Sequence, residues 1–391
     1  MSQPEMILPP EIDRISALPD EMLIHILSFL PTKSAFTTTV LSKRWKPLFH
    51  WLTAFYFDDE RVRGKEARRS FSHFVDKVLL SPHVQHHPVK TFCLMCGCPG
   101  CKVDEWIQAM IRRGVENLDL TASPYTLLLW SSIFTSQTLV VLKLNGFYME
   151  LGDFESIDVP SLKTLHLTNT YFIKRKDFKK LLSVCPNLVD LYAPVGFLND
   201  RYNENTGYKN LTKLEKACIY AFDVPFSTVY NVEFLRIEMM ERRCSDKYMD
   251  SYYREMPVFH NLISIELCWG CFSGWAGVVE VLSYCPKLQT LAIEKHRHDQ
   301  IYNDKWEKPV PECVSLHLTT CSIGNYQIHG TYGVDDFKFA AYIMQNAKLL
   351  QVMTLHIDHD SEESEKDRFL KHLSVRPRIS PACKIECKYR S

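Results

Sequence analysis

A six-residue unit with the pattern apolar-x-x-apolar-x-apolar recurs along most of this 391-residue chain. Ten copies start between residues 115 and 352, and six of the nine intervals between starts are 23 to 26 residues long. The copies are VENLDL at 115, LVVLKL at 139, LKTLHL at 162, LVDLYA at 188, LEKACI at 214, VEFLRI at 232, LISIEL at 262, LQTLAI at 288, CVSLHL at 313 and VMTLHI at 352. One copy predicts only a lone buried strand, but ten indicate stacked units, each with one strand and a returning segment.

This period is typical of leucine-rich repeats. Several returning segments have helical apolar spacing, namely DEWIQAMIRR, KDFKKLLSVC, SGWAGVVEVLSYC and GVDDFKFAAYIMQNA. The pattern predicts an α/β fold in which a βα leucine-rich-repeat solenoid covers residues 115–300. A linker helix with apolar residues from Phe71 to Leu79, and a first irregular repeat, precede it over 59–114. The asparagine that usually lies three residues after the last apolar position is missing, so we expect an irregular solenoid.

The fifth position of each unit is predicted to face away from the core, because side chains alternate along a strand. These positions hold Asp119, Lys143, His166, Tyr192, Cys218, Arg236, Glu266, Ala292, His317 and His356. Both charge signs occur, with aromatic residues between them, which suits a protein surface better than a polyanion. The candidates for target binding on a concave face are Lys143, His166, Tyr192, Arg236, Glu266 and His317. The alternative is that they are only solvated strand residues.

Residues 14–31 read RISALPDEMLIHILSFLP and predict a short, strongly apolar helix. Leu23, Ile26, Leu27 and Leu30 fall on one helical face, Asp20 is a candidate N-cap, and Pro31 ends the helix. Further helices are predicted at Thr32 and near Ser42, with a break or kink at Pro47. So small a helical unit is marginal alone, so its remaining apolar side must be covered by the rest of the chain or by another protein.

The order of residues 12–50 closely resembles the plant F-box: Asp-Arg-Ile-Ser, Leu-Pro-Asp, an Ile-Leu-Ser-Phe-Leu-Pro-Thr-Lys helix end and Leu-Ser-Lys-Arg-Trp. We place the F-box at residues 12–58. The resemblance implies that its apolar face binds the SKP-type adaptor of a cullin-RING ubiquitin ligase. The implied contact or support residues are Leu18, Pro19, Leu23, Ile26, Leu27, Leu30, Pro31, Val40 and Trp45.

The C-terminal part, residues 305–388, resembles the FBD module that follows the repeats in many plant F-box proteins. The resembling features are Val-Pro-Glu-Cys, a Gly before an acidic helix start, and Gln-Asn-Ala-Lys-Leu-Leu before a final strand. This segment is predicted to form two more repeats with a helix between them, which would cap the solenoid. The resemblance names no target.

Composition excludes several classes of function. Lys+Arg and Asp+Glu are equal at 46 each, so no global charge favours nucleic acid or an anionic membrane. Glycine is scarce, and the phosphate-binding, nucleophile-elbow and zinc-protease motifs do not occur, so we expect neither catalysis nor a cofactor. The N-terminus does not read as a signal peptide, and no apolar run reaches membrane-spanning length. The 14 scattered cysteines indicate a reducing compartment, cytoplasm or nucleus.

Two clusters raise the question of a metal. Cys93, Cys96, Cys98 and Cys101 lie within nine residues, and four thiolates can bind zinc. We interpret them as residues of a strand and a Pro-Gly turn, because structural zinc sites usually combine two well-separated knuckles. The acidic stretch 358–367 lacks the glycine that a calcium loop needs, so we interpret it as a solvated loop.

The resemblance implies a non-enzymatic substrate-recognition subunit of an SCF-type ubiquitin ligase. It would bind the SKP-type adaptor, and through it the cullin and RING subunits, by its F-box and a protein target by its repeats. A small-molecule receptor and a scaffold without a degradation target are the alternatives. The sequence gives neither the target nor the pathway.

Overall fold

The computed structural model describes residues 14–80, 87–97, 102–128, 133–151, 157–198, 207–220, 223–238, 256–268, 274–294, 309–326, 330–357 and 370–389. The chain divides into two compact units. The first comprises Met1–Thr126 with Trp130–Val141, and the second Leu127–Leu129 with Leu142–Ser391. Each is described by itself below.

The first unit begins with three short helices, as predicted. They are α1 (Asp20–Ser28), α2 (Thr32–Thr37), which continues into a 3-10 turn (Thr38–Val40), and α3 (Trp45–His50). Helix α3 starts three residues later than Ser42, so Pro47 falls in its first turn. The first amides of a helix have no intrahelical acceptor, so a proline there costs no hydrogen bond and causes no kink.

The predicted N-cap of α1 is wrong by one residue. Pro19 occupies the N-cap position in extended conformation and no side chain caps the helix, while Asp20 is the first helical residue. The carboxylate of Asp20 accepts hydrogen bonds from Arg44 instead, at 2.8 and 2.6 Å. A carboxylate in the first turn still interacts favourably with the helix dipole.

Three parallel strands follow in the first unit, β1 (Ala54–Asp58), β2 (Thr91–Cys96) and β3 (Asn117–Leu128). The predicted linker helix is α4 (Lys65–Leu79), and α5 (Val103–Arg112) joins β2 to β3. A 3-10 turn covers Ile133–Thr135. Buried Phe55, Phe92 and Leu118 are register partners across the strands. Two strands of the repeat type therefore precede the first predicted copy at residue 115.

The second unit continues the pattern of parallel strands. Its strands are β4 (Val141–Met149), β5 (Thr164–Thr168), β6 (Tyr171–Phe172), β7 (Asp190–Ala193), β8 (Gly196–Phe197), β9 (Lys216–Tyr220), β10 (Phe234–Glu238), β11 (Ser264–Cys268), β12 (Thr290–Glu294), β13 (Thr320–Tyr326), β14 (Val352–Ile357) and β15 (Lys384–Tyr389). They pair in the order β4-β5-β7-β9-β10-β11-β12-β13-β14-β15, and β6 pairs with β4 and β8. The returning helices are α6 (Arg175–Ser183), α7 (Gly274–Ser283), α8 (Glu312–Leu316) and α9 (Gly330–Asn346), with a 3-10 turn at Phe226–Thr228.

One row of side chains runs through the core of this unit. Its members are buried register partners on successive strands: Leu165, Leu191, Ala217, Leu235, Ile265, Leu291, Cys321 and Met353. Each neighbouring strand covers the next, so burial is continuous although each strand is short. The predicted fold class, three short helices followed by a parallel-strand repeat solenoid, is confirmed.

The ninth predicted strand, CVSLHL at 313, is wrong. Residues Glu312–Leu316 form α8. The strand of this repeat is β13, which begins at Thr320, seven residues after the predicted start at 313. Pro311 is the N-cap of α8, and Cys313 and Val314 are buried on its inner side. Apolar residues three apart suit either a strand unit or a helical turn, and the neighbouring strand β12 pairs with LTTCSI instead.

Hydrogen bonds from asparagine side chains connect the turns that precede the strands. The Asn187 amide donates to the Pro160 carbonyl at 2.8 Å, and the Asn231 amide to the Thr212 carbonyl at 2.9 Å. The Asn261 amide in turn donates to the Asn231 side chain at 2.8 Å. The repeats therefore place asparagine before the strand, where it satisfies turn carbonyls that the strand ladder does not reach.

Candidate functional site

Helix α1 has two apolar stripes. Leu23 and Leu27 form the inner stripe, which is fully buried, and α1 packs on α3. Met22, Ile26 and Phe29 form an outer stripe at i, i+4 and i+7; all three are exposed, Phe29 to 73%. A surface helix normally carries one apolar stripe. The second stripe therefore presents apolar surface that the rest of the first unit does not cover.

The inner side of the three helices is anchored by aromatic rings. Phe36 packs edge-on against Phe49 and Phe74, each at 5.3 Å between ring centroids, and Phe49 contacts Phe55 at 6.2 Å. The hydroxyl of Thr32 accepts a hydrogen bond from the backbone amide of Tyr56 at 2.7 Å. These contacts fix the helices on β1 and α4. One apolar side of the helices is thus buried in their own chain, and the outer stripe is left over.

The outer stripe is accompanied by other exposed apolar side chains of the same helical segment. Val40 is 83% exposed and Leu41 follows it, and Ile15 and Trp51 are also exposed. Large apolar side chains scattered singly are common on protein surfaces, whereas several on one short helical segment are typical of an interaction site. We call Met22, Ile26, Phe29, Val40 and Leu41 the outer apolar set.

Arg44 holds the segment that leads into α1. Its guanidinium donates to the carbonyls of Ser16 and Leu18, both at 2.6 Å, and to the carboxylate of Asp20. Charge-assisted bonds of this kind are stronger than neutral ones. Arg44 therefore fixes the approach of Leu18 and Pro19 to the helix. The sequence showed this arginine in its Leu-Ser-Lys-Arg-Trp motif but gave no reason to assign it a role.

The nine predicted adaptor-binding residues divide into three groups by burial. Leu23, Leu27 and Trp45 are buried in their own chain and can only support the surface; Leu18 and Leu30 are half-buried; Pro19, Ile26, Pro31 and Val40 are exposed. The predicted single face of α1 is therefore split, with Ile26 on the outer stripe. Met22, Phe29 and Leu41 were missed, although the i, i+4, i+7 spacing of a second stripe was visible in the sequence.

The predicted target-binding residues lie mostly on one face of the sheet in the second unit. His166, Tyr192, Cys218, Arg236, Glu266 and Ala292 are successive register partners, with buried residues on both sides along each strand. Lys143 is exposed on β4 between buried Leu142 and Leu144. We call the face that carries this row the open face. The binding role of these residues stays a prediction.

Two positions of the predicted row need correction. His317 follows α8 as its C-cap and is not on a strand. His356 is on β14, but the register partner of the row is Thr354, two residues earlier. The row instead continues through Ser322, Thr354 and Glu386. The core positions of LTTCSI are Leu318, Cys321 and Ile323, and cysteine in place of the central leucine hid this repeat.

An ion-pair network occupies the middle of the open face. The guanidinium of Arg236 donates to Glu238 at 2.9 Å, to Glu266 at 2.6 Å and to Glu294 at 3.3 Å, so carboxylates of three neighbouring strands meet one cation. Burial alone lowers the pKa of Arg236, but the hydrogen bonds with Glu266 and Glu238 outweigh it and raise that pKa. The arginine is therefore always charged.

A polar pocket of about 110 Å³ lies beside this network. Tyr171, Tyr192, Tyr220 and Glu238 line it, together with threonine, asparagine, proline and glycine residues of the neighbouring turns. Burial, and then the charge of Glu238, raise the pKa of Tyr220 to about 12, and the same two causes raise the pKa of Tyr192. Both phenols stay protonated at neutral pH and can donate hydrogen bonds.

Of the two candidate metal-binding segments, the structure describes only part of the cysteine cluster. Cys93 and Cys96 lie on β2, where Phe92 and Leu94 are buried, so the predicted strand is confirmed. Cys98, Cys101 and the acidic stretch 358–367 lie outside the described residues. Within the described ranges, no group of three or more His, Cys, Asp or Glu side chains is placed to hold a metal ion. In the same ranges, no helix is long and apolar enough to cross a membrane.

The fold and these two surfaces define a repeat protein with an N-terminal helical docking module, and comparisons with known proteins specify its family. Residues 15–53 match the F-box domain, residues 103–198 match the LRR repeats of FBD-associated F-box protein At5g56370, and residues 306–355 match FBD. The precise limits 12–58, 59–114, 115–300 and 305–388 stay predictions.

Similar proteins from Arabidopsis thaliana share this architecture. F-box protein At3g59000 is 30% identical over 89% of this chain and 87% of its own length. FBD-associated F-box protein At4g10400 is 28% identical over 96% and 99%, and F-box/LRR-repeat protein At3g59200 is 39% identical over 56% and 44%. The chain belongs to the plant F-box/LRR-repeat proteins with a C-terminal FBD module. Proteins of this family are generally adaptors and not enzymes, and the F-box generally binds SKP-type adaptors.

Proposed function

We propose that this protein is the substrate-recognition subunit of an SCF-type ubiquitin ligase. The outer apolar set would bind the SKP-type adaptor, which connects to the cullin and RING subunits, and the open face would bind a protein target. The observation that carries the proposal is the second apolar stripe of α1, Met22, Ile26 and Phe29, which is exposed although its neighbours Leu23 and Leu27 are buried.

The mechanism of such a subunit is proximity. A target held beside the ubiquitin donor reacts at a high effective concentration, so this chain needs no reactive group of its own. The cytoplasm or nucleus remains the proposed location. The pocket on the open face is smaller than the roughly 300 to 1,000 Å³ typical of drug-sized ligands, so it does not favour the small-molecule receptor.

Substitution on the outer stripe tests the adaptor interface. We expect Phe29→Asp to weaken binding of a purified SKP-type adaptor at least 30-fold, because loss of an anchor costs about 2 kcal/mol or more. Since Phe29 is mostly exposed, the urea midpoint of the free protein should not change. The measurement is adaptor titration by calorimetry, with urea unfolding in parallel.

Val375→Asp is the matched control, because Val375 is a comparably exposed apolar residue of the second unit. It should leave adaptor affinity within twofold of the wild type. Equal adaptor binding by Phe29→Asp and wild-type protein would contradict the proposal. Target abundance in cells distinguishes a ubiquitin-ligase subunit from a scaffold without a degradation target. If the protein is a ligase subunit, the proteins that it captures should accumulate in cells that express Phe29→Asp, whereas a scaffold would leave their abundance unchanged.

A further inference from the structure

The pocket on the open face is built by four neighbouring strands. Tyr171 comes from β6, Tyr192 from β7, Tyr220 from β9 and Glu238 from β10. Three tyrosine side chains therefore line the pocket together with mostly polar groups of the turns, and a carboxylate stands at one side. With a volume of about 110 Å³, the pocket has room for the end of one long side chain.

Among the residues that the structure describes, the charge around the pocket is negative. Glu238 and Glu266 share the single guanidinium of Arg236, and Glu294 is a third carboxylate partner of the same group. Among the described residues, Glu238 therefore shares its one cationic partner, Arg236, with two other carboxylates. Burial is the largest cause of the raised pKa values of Tyr192 and Tyr220 and disfavours any charge on them, whereas the second cause, Glu238, disfavours negative charge in particular.

This combination selects the chemistry of a ligand. A phosphate or carboxylate group would be repelled by Glu238. A cation is attracted both by the carboxylate and by the faces of tyrosine rings, whose electron distribution favours positive charge. An apolar side chain would fill the volume but would add no positive charge to the Arg236 guanidinium and the Cys218 thiol that already contact the Glu238 carboxylate. Lysine and arginine satisfy both requirements, since their apolar stems suit the rings and their charged ends suit the carboxylate.

We propose that this pocket takes a lysine or arginine side chain from a basic segment of the protein target, with Glu238 as its ion-pair partner and Tyr192 and Tyr220 as its walls. The inference rests on the proposed function, because it assumes that the target binds the open face. It goes further by assigning the target a chemical class, a basic peptide segment. The Arg236 network would keep the carboxylates in position while the site is empty.

Labelled peptides test the proposal on the full-length protein. The probe is a fluorescent nine-residue peptide of alternating lysine and glycine, compared with peptides that carry norleucine or glutamate in place of lysine. Norleucine has the same stem without the charge. In fluorescence polarisation titrations, the lysine peptide should bind at least tenfold more tightly than the norleucine peptide, and the glutamate peptide should not bind.

Three substitutions locate the site. Glu238→Gln and Tyr220→Ala should each weaken binding of the lysine peptide at least fivefold. Arg236→Gln should strengthen it, because the carboxylates then lose their internal cation. The matched control is Glu66→Gln, which removes the same charge at an exposed position of α4 in the first unit and should change affinity less than twofold. Thermal unfolding of each variant checks that the repeats remain folded.

Equal binding of the lysine and norleucine peptides, absence of binding to all three, or an unchanged affinity in folded Glu238→Gln would overturn the proposal. Adaptor titration of the same preparations separates the two levels of inference. If the adaptor binds and the lysine peptide does not, only the cation pocket is wrong. If the peptide binds and the adaptor does not, the pocket stands and the ubiquitin-ligase function is wrong.

Discussion

At the scale of single residues, two arginine–carboxylate pairs show how burial changes the value of the same contact. Arg175 donates to the Asp223 carboxylate at 2.9 Å and lies 4.1 Å from the centre of the Phe197 ring, with Asp223 only 1% exposed. Arg44 and Asp20 are closer, at 2.6 Å, but Asp20 is 60% exposed. Exposed pairs contribute little, whereas removing one partner of a buried pair leaves an uncompensated charge.

We therefore expect Asp223→Asn to lower the free energy of unfolding by about 3 kcal/mol, because the buried Arg175 guanidinium would lose the negative charge of Asp223. Asp20→Asn is the comparison, with an expected loss of about 1 kcal/mol or less. Urea denaturation followed by circular dichroism measures both. Similar losses for the two variants would show that burial does not decide the difference.

At the scale of secondary-structure elements, α1 carries two apolar stripes that differ in burial. The inner stripe holds the helix on α3, and the outer stripe remains exposed. Leu27→Ala should lower the free energy of unfolding by about 2 to 4 kcal/mol, because it leaves a cavity in a buried contact. Adaptor affinity should change much less than for Phe29→Asp, provided that it is measured well below the unfolding transition. Urea unfolding and adaptor titration give the two numbers.

Met22→Ala is the complementary variant, because it shortens an exposed residue five positions away on the outer stripe. It should leave the urea midpoint within experimental error and weaken the adaptor. If Leu27→Ala and Met22→Ala had the same pattern of effects, the division of α1 into a supporting and a binding stripe would be refuted.

At the scale of the whole molecule, stability is expected to spread between neighbouring repeats and not across the whole chain at once. Two buried thiols can report on this, because burial raises the pKa of both Cys185 and Cys321 to about 12 and only the thiolate reacts with alkylating reagents. Cys321 is the register partner of Leu291, whereas Cys185 follows α6 in an earlier repeat.

Leu291→Ala should therefore speed alkylation of Cys321 by iodoacetamide at least threefold more than that of Cys185. The physical reason is that a cavity in β12 favours local opening of the adjacent strand, while distant repeats keep their own contacts. Peptide mapping by mass spectrometry measures each thiol. Equal acceleration at both sites would show that the second unit opens as one cooperative body.

Much of the fold could be predicted because the apolar pattern of each repeat recurs in the sequence at near-regular intervals. Leu162, Leu165 and Leu167 are all buried, and their spacing alone places a strand there. The strands β1, β2 and β15 were not assigned as copies, since LTAFYF, VKTFCL and ACKIEC replace leucine with aromatic, cysteine or small residues. CVSLHL was wrongly assigned to a strand, because its apolar spacing fits a strand unit as well as the helical turn that the structure shows.

The sequence by itself determined the α/β repeat class, the helical module at the start, and the side of each strand on which most residues lie, because alternation and helical spacing are local properties. Only the tertiary structure decided which strand pairs with β12, which apolar residues of α1 stay exposed, and that Arg236 meets Glu238, Glu266 and Glu294. These features depend on contacts between residues far apart in the chain, and their energies are set by burial that no local pattern contains.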